Sequence, residues 1–218
     1  MTDEEKYKRL DFIISLLKPW DELHAFLQLP YSLDSKFSDP VIKARALAIT
    51  IQHQTDFEKL EQGNSLSDQE LLEASSAAMR VRDLCNTIKH IERTGNKHHA
   101  RITGICAESI VNEDGSFQFV RNRIAYHHEQ DGEFDLMDDL YEATKFWARR
   151  RCIDLSGITN WGDEEVRVSP KSPQDSIYLL FDPSICIHQG SQQVSTNRLI
   201  DGKLEKFDHD NVRVAILD

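Results

Sequence analysis

The sequence predicts an α+β fold, and three observations carry the prediction. Apolar residues recur at helical spacing over roughly the first 94 residues, alternate as in strands from about residue 101, and gather in short β-rich runs beyond about residue 175. The expected architecture is a layer of antiparallel N-terminal helices, a central β-hairpin followed by a helix, and a β-rich C-terminal part. Two units follow: a helical and hairpin domain at 1–155, and a β-rich C-terminal subdomain at 156–218 that begins with a loop-rich linker, SGITNWGDEE and SPKSPQDS.

Each element has a local reason. In residues 3–17, Leu10, Ile13, Ile14 and Leu17 have the spacing of a helix with one buried face, and Pro19 is expected to end it. A short helix over Asp21–Leu29 should stop before Pro30, and Ser38 or Asp39 can cap the next one, with Pro40 in its first turn. That helix, about Pro40–Glu61, carries Ile42, Ala46, Ile49, His53, Phe57 and Leu60 within one narrow arc, with Asp56 at its edge. Ser67 and Glu70 form a capping box that opens a long helix to about Arg93, with Val81, Leu84, Cys85, Ile88 and Ile91 as its apolar stripe. Arg101–Val111 and Phe117–Glu129 read as a hairpin turning at NEDGS. After the turn at Gln130-Asp131-Gly132, Leu136, Leu140, Ala143 and Trp147 predict a helix whose last turn, Arg149-Arg150-Arg151, complements the helix dipole. SIYLLFD, Ile185–Ile187, NRLIDGKLEKF and VRVAILD supply the short C-terminal strands.

Composition narrows the function classes. The 218 residues are 39% hydrophobic and 29% charged, too apolar for a disordered chain, and the formal charge of −11 disfavours a broad non-specific grip on nucleic acid. No apolar run approaches the roughly 20 residues of a membrane helix, and MTDEEKYKRLDF does not read as a secretory leader. Cys85, Cys106, Cys152 and Cys186 follow no zinc or disulfide spacing, so the expected setting is a reducing one, the cytoplasm.

Two polar constellations stand out as candidate catalytic residues. His53 falls inside an apolar stripe with Asp56 one turn on, the arrangement of a histidine oriented by a carboxylate or of a core imidazole with its hydrogen bonds satisfied. Asp83, Asn86 and His90 share a face of the long helix nearly opposite its apolar stripe, joined by Arg82 and Lys89 as ligand-binding candidates. Those groups can hold a phosphate, a carboxylate or a metal, or simply form a solvated face. In a simple hairpin His53 lies level with residues near 76, roughly 9 Å along the axis from Asp83. Shared metal ligation is therefore not expected, and no metal or cofactor is assigned.

His53-x-x-Asp56 with Arg82-Asp83-x-x-Asn86-x-x-Lys89-His90, and the later Phe146-Trp147 pair, loosely resembles a group of uncharacterised bacterial and phage proteins over about residues 45–150. The resemblance implies a prokaryotic or mobile-element setting and brings no activity with it. Separately, Arg121-Asn122-Arg-Ile-Ala-Tyr-His127 is similar to the Arg-x(4–6)-His motif of HEPN ribonucleases. By that likeness Arg121 would bind the scissile phosphate of an RNA, Asn122 would position it and His127 would assist proton transfer. In such enzymes the motif lies on a helix at a dimer interface, whereas FQFVRNRIAYHHEQDG reads as a strand. No nucleotide-binding glycine loop, nucleophile elbow or zinc-protease motif is present.

The expectation is a binding or regulatory protein that uses its Asp83/Asn86/Lys89/His90 face on a protein partner or a small anionic ligand, with pairing of two copies open to it. The alternative is a metal-independent, toxin-like ribonuclease using Arg121 and His127.

Overall fold

The computed structural model describes residues 2–28, 38–63, 65–89, 99–111, 117–155, 158, 193–200 and 203–206. Among them the α+β expectation holds, with helices packed against a sheet whose β1, β2 and β3 strands are antiparallel. Most of 156–218 lies outside the described residues, as do His90, His98, Cys186, His188 and His209.

The first helix, α1 (Asp3–Phe12), opens with a capping box between Thr2 and Glu5. It does not end before Pro19. A π-helical turn over Ile13–Leu17 carries it straight into α2 (Lys18–Leu27). A proline lacks the N–H that an α-helix requires there and its ring crowds the preceding turn; the widened turn makes room for the ring. The core face of this rod is Phe12, Leu16, Leu17, Trp20, Leu23 and Leu27, all buried.

The helix expected over 40–61 is two, α3 (Ser38–Gln52) and α4 (Gln54–Gln62), divided at His53, with Gly63 closing α4 at φ +79. Its inward face is a correction. Ala44, Leu47, Ala48 and Ile51 are buried, whereas Ile42 is 60% exposed and Leu60 83%. Ser67 and Glu70 form the expected capping box, but the helix they open, α5 (Asp68–Ala74), stops at Ser75, whose extended backbone interrupts it. The Ser75 hydroxyl then accepts from the Ala78 amide in the first turn of α6 (Ser76–Lys89).

Strands β1 (Ala100–Val111) and β2 (Phe117–His128) pair antiparallel, with Ala100 opposite His128 and Val111 opposite Phe117. Register shifts leave Thr103 and Val120 without a pairing partner, two β-bulges. Gly132, at φ +95, starts the short β3 (Gly132–Asp135) on the other side of β2. Beyond β1 lie β4 (Gln193–Ile200), parallel to it, and β5 (Lys203–Lys206), antiparallel to β4.

Helix α7 (Leu136–Arg150) is capped by the Asp135 carboxylate, which accepts from the Met137 amide at 2.9 Å. Leu136, Leu140, Ala143 and Trp147 are buried, as their spacing predicts. The Trp20 indole donates to the Met137 carbonyl at 3.2 Å and fixes α2 against α7. At the other end Cys152 N–H donates to the Arg149 carbonyl at 3.1 Å and Ile153 N–H to the Ala148 carbonyl at 2.8 Å. These two bonds form a Schellman motif, with Cys152 at φ +54 in the place that glycine usually holds.

Candidate functional site

Alternation along β2 sends Asn122, Ile124, Tyr126 and His128 to the core and leaves Arg121, Arg123 and His127 half-buried on the opposite face. Helices α6 and α7 bring charged side chains to meet that inward row. Arg80 donates twice to Asp139, from Nε at 2.8 Å and from Nη2 at 2.6 Å, a bidentate pair. The Tyr126 hydroxyl donates to the same carboxylate. His128 lies between two more carboxylates, with Nε2 3.4 Å from Asp83 and Nδ1 3.2 Å from Asp131 in the turn after β2. Arg80 also stacks over Phe134, with its guanidinium carbon 4.1 Å from the ring centroid.

Apart from Asp131 and the flank of Arg80, this cluster is shut in. Asp83, His128 and Asp139 are each at most 5% exposed and Tyr126 is fully buried. The Asp139 hydrogen bonds hold the Arg80 guanidinium above its ordinary pKa, while burial pushes the Asp139 carboxyl up against the opposing pull of Arg80. The nearby Cys85 thiol is pushed up to about 12 by burial, too high to furnish a nucleophilic thiolate near neutrality.

The candidate residues therefore separate. Asp83 does not belong to a solvated face; it turns into the interior toward His128. Asn86 is half-buried and Lys89 exposed at the end of α6, while His90 lies outside the described residues. Arg82 bridges Asp68 of α5 at 2.7 Å. His53 and Asp56 are exposed on the outer side of α3 and α4, so His53 is not the core histidine its apolar neighbours implied, and it does not join Asp83.

Arg121, Asn122 and His127 lie on a strand. Arg121 reaches Asp135, the cap of α7, at 3.2 Å, and Asn122 donates to the Leu27 carbonyl at 3.1 Å. His127 pairs in register with Arg101 on one side and Glu133 on the other.

A second polar cluster ties the end of α7 to α4. Arg150 donates to the fully buried Glu58, and Arg151 donates to Gln54 and, at 2.8 Å, to Glu61. Lys8 bridges Glu61 at 2.8 Å and draws α1 to the same point. Two of the three arginines are thus carboxylate partners as well as complements to the helix dipole. Burial pushes Glu61 up, but Arg151 and Lys8 outweigh it and hold the carboxyl below its ordinary value of 4.5.

Arg80, Tyr126, His128, Asp131 and Asp139 escaped sequence reasoning. A signal was available for two of them: alternation puts His128 on the same side as Ile124 and Tyr126, and Asp139 falls just beside the arc of Leu136, Leu140 and Ala143.

Among the described residues, no three His, Cys, Asp or Glu side chains are grouped to hold a metal ion, and no helix is long and apolar enough to cross a membrane. No family model, curated protein or solved structure matches the chain.

Proposed function

We propose that this is a binding protein whose partner is another protein, engaged through the outer face of α3 and α4. The observation that carries the reading is the pair of exposed apolar side chains Ile42 and Leu60, on the same arc as the exposed His53, with the edge of Phe57 showing beside Leu60 while its ring stacks on Arg151 at 4.7 Å. Large apolar side chains aligned at helical spacing on a solvent-facing side suit insertion of that side into an apolar groove of a partner. His53 and Asp56 would then provide the polar contacts that fix register beside it.

The alternatives have less support. On α6, Arg82 and Asp83 are engaged within the fold, which leaves Asn86 and Lys89 as the described groups toward a small anion. For the ribonuclease reading, Arg121 is tied to the cap of α7 and Asn122 to a backbone carbonyl, roles that fold stability alone accounts for.

The test is comparative. The full chain is tagged in the cell that encodes it, and proteins crosslinked to it are quantified for the native form, an Ile42→Ser/Leu60→Ser variant and an Asn86→Ala/Lys89→Ala variant. The reading expects one or a few proteins to vanish only with the stripe variant, at unchanged melting temperature. Loss only with the α6 variant, or no difference among the three, would overturn it.

A further inference from the structure

We propose that α1 is the contact surface for a second copy of this chain, with two α1 helices pairing antiparallel about a two-fold axis that passes between Leu10 and Asp11. This is independent of the stripe on α3 and α4. At about 100° per residue, Asp3, Tyr7, Leu10 and Ile14 share one face of the helix. Lys18 returns to that face because the residues of a π turn advance less around the axis than those of an α-helix.

Two observations choose the occupant. The first is exposure: Tyr7 is 74%, Leu10 52% and Ile14 55% exposed, although the opposite side of the same rod, Phe12, Leu16 and Leu17, supplies the core. The second is charge placed symmetrically about those residues. The Asp3 and Lys18 side chains are 85% and 68% exposed at the two ends of the apolar row. In an antiparallel pair centred between Leu10 and Asp11, residue i of one copy meets residue 21 − i of the other. Asp3 then faces Lys18 of the second copy, Tyr7 faces its Ile14, and both contacts recur across the axis.

An isologous interface is self-complementary in this way, the same patch serving both copies. Within one chain, Asp3 bridges Lys6 at 2.8 Å and Lys18 bridges Glu22 at 3.9 Å. Exposed pairs of that kind are weak and can be exchanged at little cost. One helix from each copy buries less surface than a permanent dimer does, so the association should be reversible.

Sedimentation of the full chain across a concentration series tests the proposal. The expected result is a monomer–dimer equilibrium that Leu10→Glu/Ile14→Glu abolishes. Asp3→Lys alone and Lys18→Glu alone should each weaken it about tenfold, because the axis makes every change twice. Combining them, Asp3→Lys/Lys18→Glu, should restore the native dissociation constant to within about threefold, since each reversed charge again meets its opposite. Thermal melts confirm that each variant folds, and Leu10→Ser/Ile14→Ser replaces the glutamate pair if that one does not. A chain monomeric at every concentration, a dimer indifferent to Leu10 and Ile14, or a double reversal that fails to recover binding would overturn the proposal.

Discussion

Helix α6 and the α3–α4 pair are inverted relative to one another. On α6 a face of charged and amide side chains, which looks made for water, has Asp83 turned inward against His128 and Arg80 against Asp139. On α3 and α4 Ile42 and Leu60, which look made for the core, face water, while Gln54 and Glu58 are buried in their place. Periodicity defines the faces of a helix; the neighbours decide which of them turns inward. Charges can enter where facing elements bring opposite charges to meet them, as α7 does for both clusters.

The largest expected effect is on the charged side of this comparison. Asp139→Asn removes the carboxylate that receives both Arg80 and Tyr126, leaving a guanidinium only 13% exposed with the more distant and more exposed Asp131, at 3.7 Å, as its remaining counter-charge. Unfolding by urea should show a loss of about 3–5 kcal/mol, the usual cost of removing one member of a buried pair. A loss below about 1 kcal/mol would mean that the pair contributes little and that packing alone holds α6 against α7.

A smaller effect belongs to the α5 cap that precedes α6. Ser67→Ala removes the hydroxyl of the capping box, and about 1 kcal/mol should be lost, a melting temperature lower by roughly 2–4 °C. Cys152→Gly should act in the opposite direction. It relieves the left-handed backbone at the end of α7 and should raise stability by about 0.5–1 kcal/mol. A destabilised glycine variant would show that the cysteine side chain makes contacts worth more than the strain.

Acid sharpens the comparison from the α4 side. The folded-state pKa of Glu61 lies below its ordinary value of 4.5, so the carboxylate contributes stability in full above that pH and loses it as pH falls through the lower folded value. Melting temperatures of the native chain and Glu61→Gln should therefore differ near neutrality and converge in acid. Parallel curves would show that the charge on Glu61 does not stabilise the fold. The smallest effect should come from Ile42→Ser/Leu60→Ser, within about 0.5 kcal/mol of native, because both side chains are already in water.

Much of the fold was legible because local chemistry specified it. The Ser67–Glu70 box, the hairpin strands on either side of 112–116, the turn before Gly132 and the buried row of α7 all follow from neighbours in sequence. The divisions at His53 and Ser75 and the passage through Pro19 were not legible. Each depends on tertiary packing or a change of helical pitch that a fixed 3.6-residue period does not represent. The polar cluster was hidden for a related reason. Arg80, Tyr126 and Asp139 meet only once a strand and two helices distant in sequence have docked, and no spacing within one element records that.

The π turn has a further consequence, for how this chain tolerates insertions and deletions. Five π residues together lag an α-helix by about 90°, nearly the 100° that one residue spans, so deleting a single amino acid within Ile13–Leu17 would restore ordinary pitch and leave Phe12 facing the interior. A second deletion would find no such slack and would swivel everything before it by about 100°. The turn is thus a reserve of one codon: the N-terminal rod can lose that length and still show the same side to the world outside.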